Sequence, residues 1–355
     1  MRTLLTPIGW LLVIALLLAG TTASEARKKK KKGKPDKQED LYAEYVWPPP
    51  PDEARIRLVE ILRGRSDVEA ESKLKKVLVG AGPQSPYDWL SKPFAAAYDP
   101  EGRLVVSDPV LGALLRFDRE GRRLDVFGTR GALTLKTPLG LDIAPDGTIY
   151  AADAAQALVV AYTSEGKLVS VFGRGELENP TDATLSPDGE RLYVADSKGQ
   201  RVVIFDAASA ELLKSFGERG EGEGQFNFPT SLAFGPEGNL FVVDQLNARV
   251  QIFTPDGEFY DQFGSLGTNY GNFVRPKDVA VDPFGFIYVS DGGLNNLQLF
   301  DIDLQLLTFL GSGGIGPGQF GVASGVAVHG DEFAVVDQLN RRVQIFRFLT
   351  PRAEE

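Results

Sequence analysis

The sequence predicts an all-β fold, a six-bladed β-propeller of four-stranded blades closed by an N-terminal strand. Three observations carry this. A unit recurs six times at intervals of 45, 42, 49, 47 and 47 residues, starting at Pro93, Pro138, Pro180, Pro229, Pro276 and Ala323. Each of the first five units holds four short β-prone runs divided by turn residues. The last unit is one strand short, while a β-prone segment stands unpaired ahead of the first.

The chain opens with Arg2 and an apolar run from Ile8 to Ala19, and Thr21-Thr22-Ala23 offers small residues where a signal peptidase would cut. Residues 1–23 read as a signal peptide, and the protein as exported to the periplasm, cell envelope or extracellular space. The alternative is a membrane anchor through residues 8–20, a stretch short for crossing a bilayer. Arg27, Lys28 to Lys32, Lys34 and Lys37 follow. Residues 24–54 read as a basic, Pro-rich disordered linker. The Lys28–Lys32 run is suited to contact with an anionic envelope surface. Trp47 and Pro48–Pro51 read as a stiff polyproline spacer, or as a ligand for a partner's aromatic groove.

The basic leader hides an acidic body. From position 38 onward there are 29 basic and 46 acidic residues, a net of −17. That sign argues against nucleic acid as a partner. The absence of cysteine removes disulfides and thiolate chemistry, and His329, the one histidine, excludes a multi-histidine metal centre.

Arg55 to Leu62 is β-prone, and pairing with Val343–Phe346 would supply the missing strand of the last unit and close the ring. Residues 67–78 have helical composition and are expected to form a short surface helix. The propeller then spans 55–350, with 351–355 as a tail. Within each unit, a Pro-x-x-apolar-small-apolar run leads to a turn such as Pro145-Asp146-Gly147 or Pro236-Glu237-Gly238. A second run then ends in Asp108, Asp153, Asp196, Asp244, Asp291 or Asp337. Nine residues further stands Phe117, Tyr162, Phe205, Phe253, Phe300 or Phe346. The final runs of the first five units end in Phe127-Gly128, Phe172-Gly173, Phe216-Gly217, Phe263-Gly264 and Leu310-Gly311. Four antiparallel strands per unit, repeated in this way, describe propeller blades.

The stretch Phe241-Val242-Val243-Asp244-Gln245-Leu246-Asn247-Ala248-Arg249-Val250-Gln251-Ile252-Phe253 resembles the NHL-repeat signature, as do Leu192 to Phe205 and Val335 to Phe346. The linkers Gly222-Glu223-Gly224-Gln225-Phe226 and Gly316-Pro317-Gly318-Gln319-Phe320 are similar to the family's inter-blade loops, and the leader is similar to that of exported bacterial propellers. Units one, two and five depart from the signature, with Ala113, Leu158 and Asn296 in place of the Arg. The resemblance covers about residues 55–350 and implies binding of a protein, peptide or glycan more often than catalysis.

The six recurrent Asp are expected to cap turns, pairing with Arg201, Arg249 and Arg342 where present. Symmetry breaks at the axis. Four residues past the unit start stand Ala97, Asp142, Thr184, Ala233, Ala280 and Ala327, and two past it Ala95, Gly140, Asp182, Ser231, Asp278 and Gly325. Asp142, Asp182 and Asp278, with Thr184 and Ser231, could converge at one end of the channel. Hard oxygen donors of this kind suit Ca²⁺, so a calcium ion at the mouth is weighed against plain hydrated channel residues with no cofactor. The competing reading is a lactonase-like propeller hydrolase, although the axial Glu and Asn ligands of such enzymes have no clear match here. No catalytic residue is assigned. For partner contact, the linkers nominate Asn269, Tyr270, Phe226, Phe273 and Phe320.

Overall fold

The computed structural model describes residues 41–69 and 85–349. The signal segment, the basic run and the tail lie outside the described residues. Six antiparallel sheets stand around an axis, five of four strands and one of five. Blades one to five occupy residues 96–127, 138–172, 180–216, 229–263 and 276–310. Blade six takes Ala323–His329, Glu332–Asp337 and Arg342–Phe348 from the end of the chain.

Its outer strand is Ile56–Leu62, which pairs antiparallel with Arg342–Phe348, Ile56 opposite Phe348 and Leu62 opposite Val343. The ring closes as the sequence predicts. A bulge between Leu58 and Glu60 shifts the strict alternation. Ile56, Leu58 and Ile61 therefore pack toward blade five, and Leu62 toward blade one. These four side chains are 4% exposed or less.

The leader is more ordered than expected. Val46–Trp47 adds a fifth strand outside Ile56–Leu62. The Trp47 ring meets Phe346 edge-on at 5.5 Å, and Tyr42 and Tyr45 pack on the same core. The chain turns through Pro48–Pro51 instead of running straight. Trp47, half-buried against its own propeller, is not a free ligand for another protein's groove. Of the helix expected over 67–78, one turn, Arg65–Val68, is seen, and residues 70–84 lie outside the described residues.

The core is six clusters, each lying between two neighbouring blades. Second strands such as Leu240–Asp244 are buried on both faces, because both faces meet a neighbouring blade. Outer strands such as Leu212–Phe216 are largely exposed.

The glycine after each outer strand has a steric cause. At Gly217, Gly264 and Gly311 a Cβ would lie 2.3–2.4 Å from the rings of Phe226, Phe273 and Phe320, and φ is +96, +84 and +95°. Leu135 and Leu177 take the same place against Gly128 and Gly173. Linker side chain and bare glycine are one device, which draws each linker down onto the blade before it.

Candidate functional site

Two faces frame the axis. The linker face carries the inter-blade linkers and the loops joining second to third strands. The turn face carries the remaining hairpin turns.

On the linker side, the six recurrent aspartates are each fully buried. Every one reaches back to backbone N–H groups of the linker ahead of its own inner strand. Asp108 accepts from Ser91 (2.6 Å) and Lys92 (2.9 Å), Asp153 from Lys136 and Thr137, and Asp196 from Glu178 and Asn179. Asp244 accepts from Asn227, Asp291 from Val274 and Arg275, and Asp337 from Gly321. The expected turn caps are present at Asp108 and Asp291, which also accept from Val110, Leu111, Gly293 and Leu294.

The expected Arg pairs form as well, with Arg249–Asp244 at 2.9 Å, Arg342–Asp337 at 2.8 Å and Arg201–Asp196 at 3.1 Å. The first two are buried rather than surface pairs. Arg249 also donates to the carbonyls of Gly222 and Gln225, and Arg342 to those of Ile315, Gly316 and Gln319. The signature residues thus lock linker to blade.

This arrangement corrects part of the partner-contact set. Phe226, Phe273 and Phe320 are 0% exposed, filling the inter-blade cores over their glycines, and present nothing to a partner. Asn269 and Tyr270 are exposed on the linker face, Tyr270 stacking on Phe309 at 4.2 Å. Residues not nominated from the sequence join them there. Val110, Leu246 and Leu339, each two residues past a recurrent Asp, are 63, 51 and 61% exposed. That repeated offset was the available signal.

The axial set lines a cavity of about 270 Å³, with Asp142, Asp182, Thr184 and Asp278 in its wall beside Tyr98 and Phe234. Each carboxylate bridges to the next blade. Asp182 of blade three accepts from Leu232 N–H of blade four (2.9 Å), and Asp278 of blade five from Val326 N–H of blade six (2.7 Å). One layer further along, Asp142 of blade two accepts from the Thr184 hydroxyl (3.0 Å) and Leu185 N–H (2.9 Å) of blade three. Ser231 donates to Asp278, joining blades four and five.

Burial raises Asp182 well above the usual carboxylate range, and nearby Asp278 and Asp142 push it further. Burial likewise pushes Asp278 up to about 6. Among the described residues no three His, Cys, Asp or Glu side chains come together as a metal-holding group. The three carboxylates each accept a backbone N–H of the neighbouring blade, and the Thr184 and Ser231 hydroxyls donate to Asp142 and Asp278. His329 ends the inner strand of blade six and packs on Tyr98, ring centroids 5.4 Å apart.

No protein-family model matches the chain. NHL repeat-containing protein 3 of Homo sapiens is 30% identical over 110 residues, covering 28% of this chain and 31% of that protein. A probable peptidyl-alpha-hydroxyglycine alpha-amidating lyase of Caenorhabditis elegans is 29% identical over 103 residues, covering 28% of this chain and 29% of the lyase. The match thus spans less than a third of the length of these curated relatives. Among solved structures, a gluconolactonase from Xanthomonas campestris superposes with a TM-score of 0.57 at 18% identity, covering 82% of this chain and 98% of the other. At that identity the likeness is one of fold. Sheets and ring define a six-bladed β-propeller of antiparallel four-stranded blades. Over the matched stretch the chain is similar to NHL repeat-containing proteins.

Proposed function

We propose that this propeller is an exported, non-catalytic binding module whose linker face takes a protein, peptide or glycan partner. One observation carries the reading. Of the nineteen large apolar side chains exposed among the described residues, nine lie in linkers and second-to-third-strand loops. The opposite face exposes Phe284, Ile302 and Leu349. Apolar surface gathered on one face of a rigid scaffold is what a docking site requires. Immobilised protein should retain a partner from the exported fraction of its host, and the L246D/L339D double variant should lose it. Equal capture by both proteins would refute the assignment to this face.

The second reading, a lactonase-like hydrolase with a divalent ion, draws support from the carboxylates in the cavity wall. It predicts a stoichiometric ion in the purified protein, lost together with lactone or ester hydrolysis in Asp142→Ala. Absence of both ion and turnover in the wild type would leave the binding reading. Export rests on residues 1–23, outside the described residues, as does the Lys28–Lys32 contact with an anionic surface. N-terminal sequencing of host-purified protein tests the export reading: a start after Ala23 supports it, and an intact Met1 in membranes favours the anchor.

A further inference from the structure

The axial rim of the linker face is chemically lopsided. It consists of the residues directly before and after the starting position of each inner strand: Lys92 and Phe94, Thr137 and Leu139, Asn179 and Thr181, Phe228 and Thr230, Arg275 and Lys277, Val322 and Ser324. Three of these twelve positions are cationic and none is acidic, on a body whose net charge from residue 38 is −17. The cations lie on blades five and one, on either side of blade six, whose rim residues are Val322 and Ser324.

The fold makes room for the central one. In blade five the loop after Asp291 begins Gly292-Gly293, where blades one, four and six have Pro109-Val110, Gln245-Leu246 and Gln338-Leu339. A Cβ at Gly292 would lie 3.2 Å from Lys277 Cγ and 3.3 Å from its Cε, so the lysine stem runs across the bare loop. Lys277 is half-buried, while Arg275 and Lys92 are exposed. Burial lowers the Lys277 ammonium below the usual lysine range, and the charges of Arg275 and Lys92 lower it further, while Asp291 pulls the other way. The acids nearest in the fold are already engaged, Asp291 and Asp108 each accepting backbone N–H groups. No carboxylate pairs with Lys92, Arg275 or Lys277 among the described residues.

Cations at one mouth of the ring, with no carboxylate in ion-pair contact among the described residues, are an arrangement that an anionic ligand completes. We propose that Lys277, Arg275 and Lys92 form an anion site that seats the carboxylate of an acidic peptide segment at the mouth of the ring. Apolar side chains flanking that carboxylate would meet Val110 of blade one and Leu339 of blade six. An acidic body and a local basic rim favour a compact acidic group over an extended polyanion. The inference deepens the partner-binding reading and rests on it.

The test uses the full chain and two pools of random hexapeptides, one with Glu fixed at alternate positions and one with Gln in those places. Retained peptides are counted by mass spectrometry. Wild type should enrich the Glu pool at least about tenfold, with retention falling between 50 and 300 mM salt as screening predicts. Lys277→Ala and Arg275→Ala should abolish the enrichment without a change in melting temperature, and Lys277→Arg should keep it. Equal retention of the two pools would overturn the anion site while leaving the apolar face as a binding surface. Retention of neither pool would count against both. Preferential retention of a dT12 oligonucleotide would overturn the peptide assignment.

Discussion

The buried aspartate at the end of each second strand faces a demand that a surface carboxylate escapes. Asp244 is fully buried and accepts hydrogen bonds from Asn227 N–H, the Asn247 side chain and Arg249. Removing it leaves a buried guanidinium and a linker N–H without partners. Asp244→Ala is therefore expected to cost about 3 kcal/mol or more in denaturant unfolding. Tyr270→Ala, at a position 66% exposed, should cost under about 1 kcal/mol and weaken partner capture instead. Asp278 makes a different prediction. Its carboxyl titrates at about 6 when folded, against 3.8 for an ordinary aspartate, because burial disfavours its charge. The folded state then binds the proton more tightly, so this group's contribution to stability falls as pH rises from about 4 to about 6 and is level above that. Asp278→Asn should flatten this part of the stability-pH curve and raise stability near pH 7 by on the order of 1 kcal/mol. Parallel curves for the two proteins would contradict the assignment.

At the scale of the element, linker and blade are joined by a matched pair, an apolar side chain and the glycine beneath it. A Cβ at Gly264 would sit 2.3 Å from Phe273 Cε2, and the residue has φ +84°. Gly264→Ala should thus cost about 2 kcal/mol or more through clash and backbone strain together. Far less should follow at Gly271, whose φ is +85° but whose Cβ would meet nothing within 4 Å. Thermal melts of the two variants separate the steric cause from the conformational one. The closing strand obeys a similar logic. Leu58 is fully buried in the core between blades five and six, so Leu58→Ala should destabilise by about 2–5 kcal/mol although it lies far from any other blade in sequence.

For the whole molecule, every core cluster is shared by two blades, so no blade can leave without opening two of them. Unfolding should be a single cooperative transition, with calorimetric and van't Hoff enthalpies in agreement. A chain beginning at residue 65 lacks the outer strand of blade six. It should lose that agreement and aggregate through the open edge of Arg342–Phe348. Unchanged melting and a monodisperse profile would show that the N-terminal strand is dispensable.

Blade number, strand order and the closing strand could all be read from the repeat. Its period, turn residues and alternating β-prone runs are local properties, and a strand missing at one end with a spare one at the other leaves a single economical pairing. The recurrent Asp and Arg were likewise visible, because each makes contacts set by offsets inside its own unit. Only the tertiary structure decided which face of a residue is free. Phe226, Phe273 and Phe320 sit in linkers that look solvent-facing in one dimension, yet they are drawn inward by glycines nine residues before them. Asp142, Asp182 and Asp278 line one cavity, but the backbone N–H that each accepts from the next blade is fixed by the tertiary structure alone. Those outcomes depend on distances between units that are far apart in sequence, and local pattern carries no information about such distances.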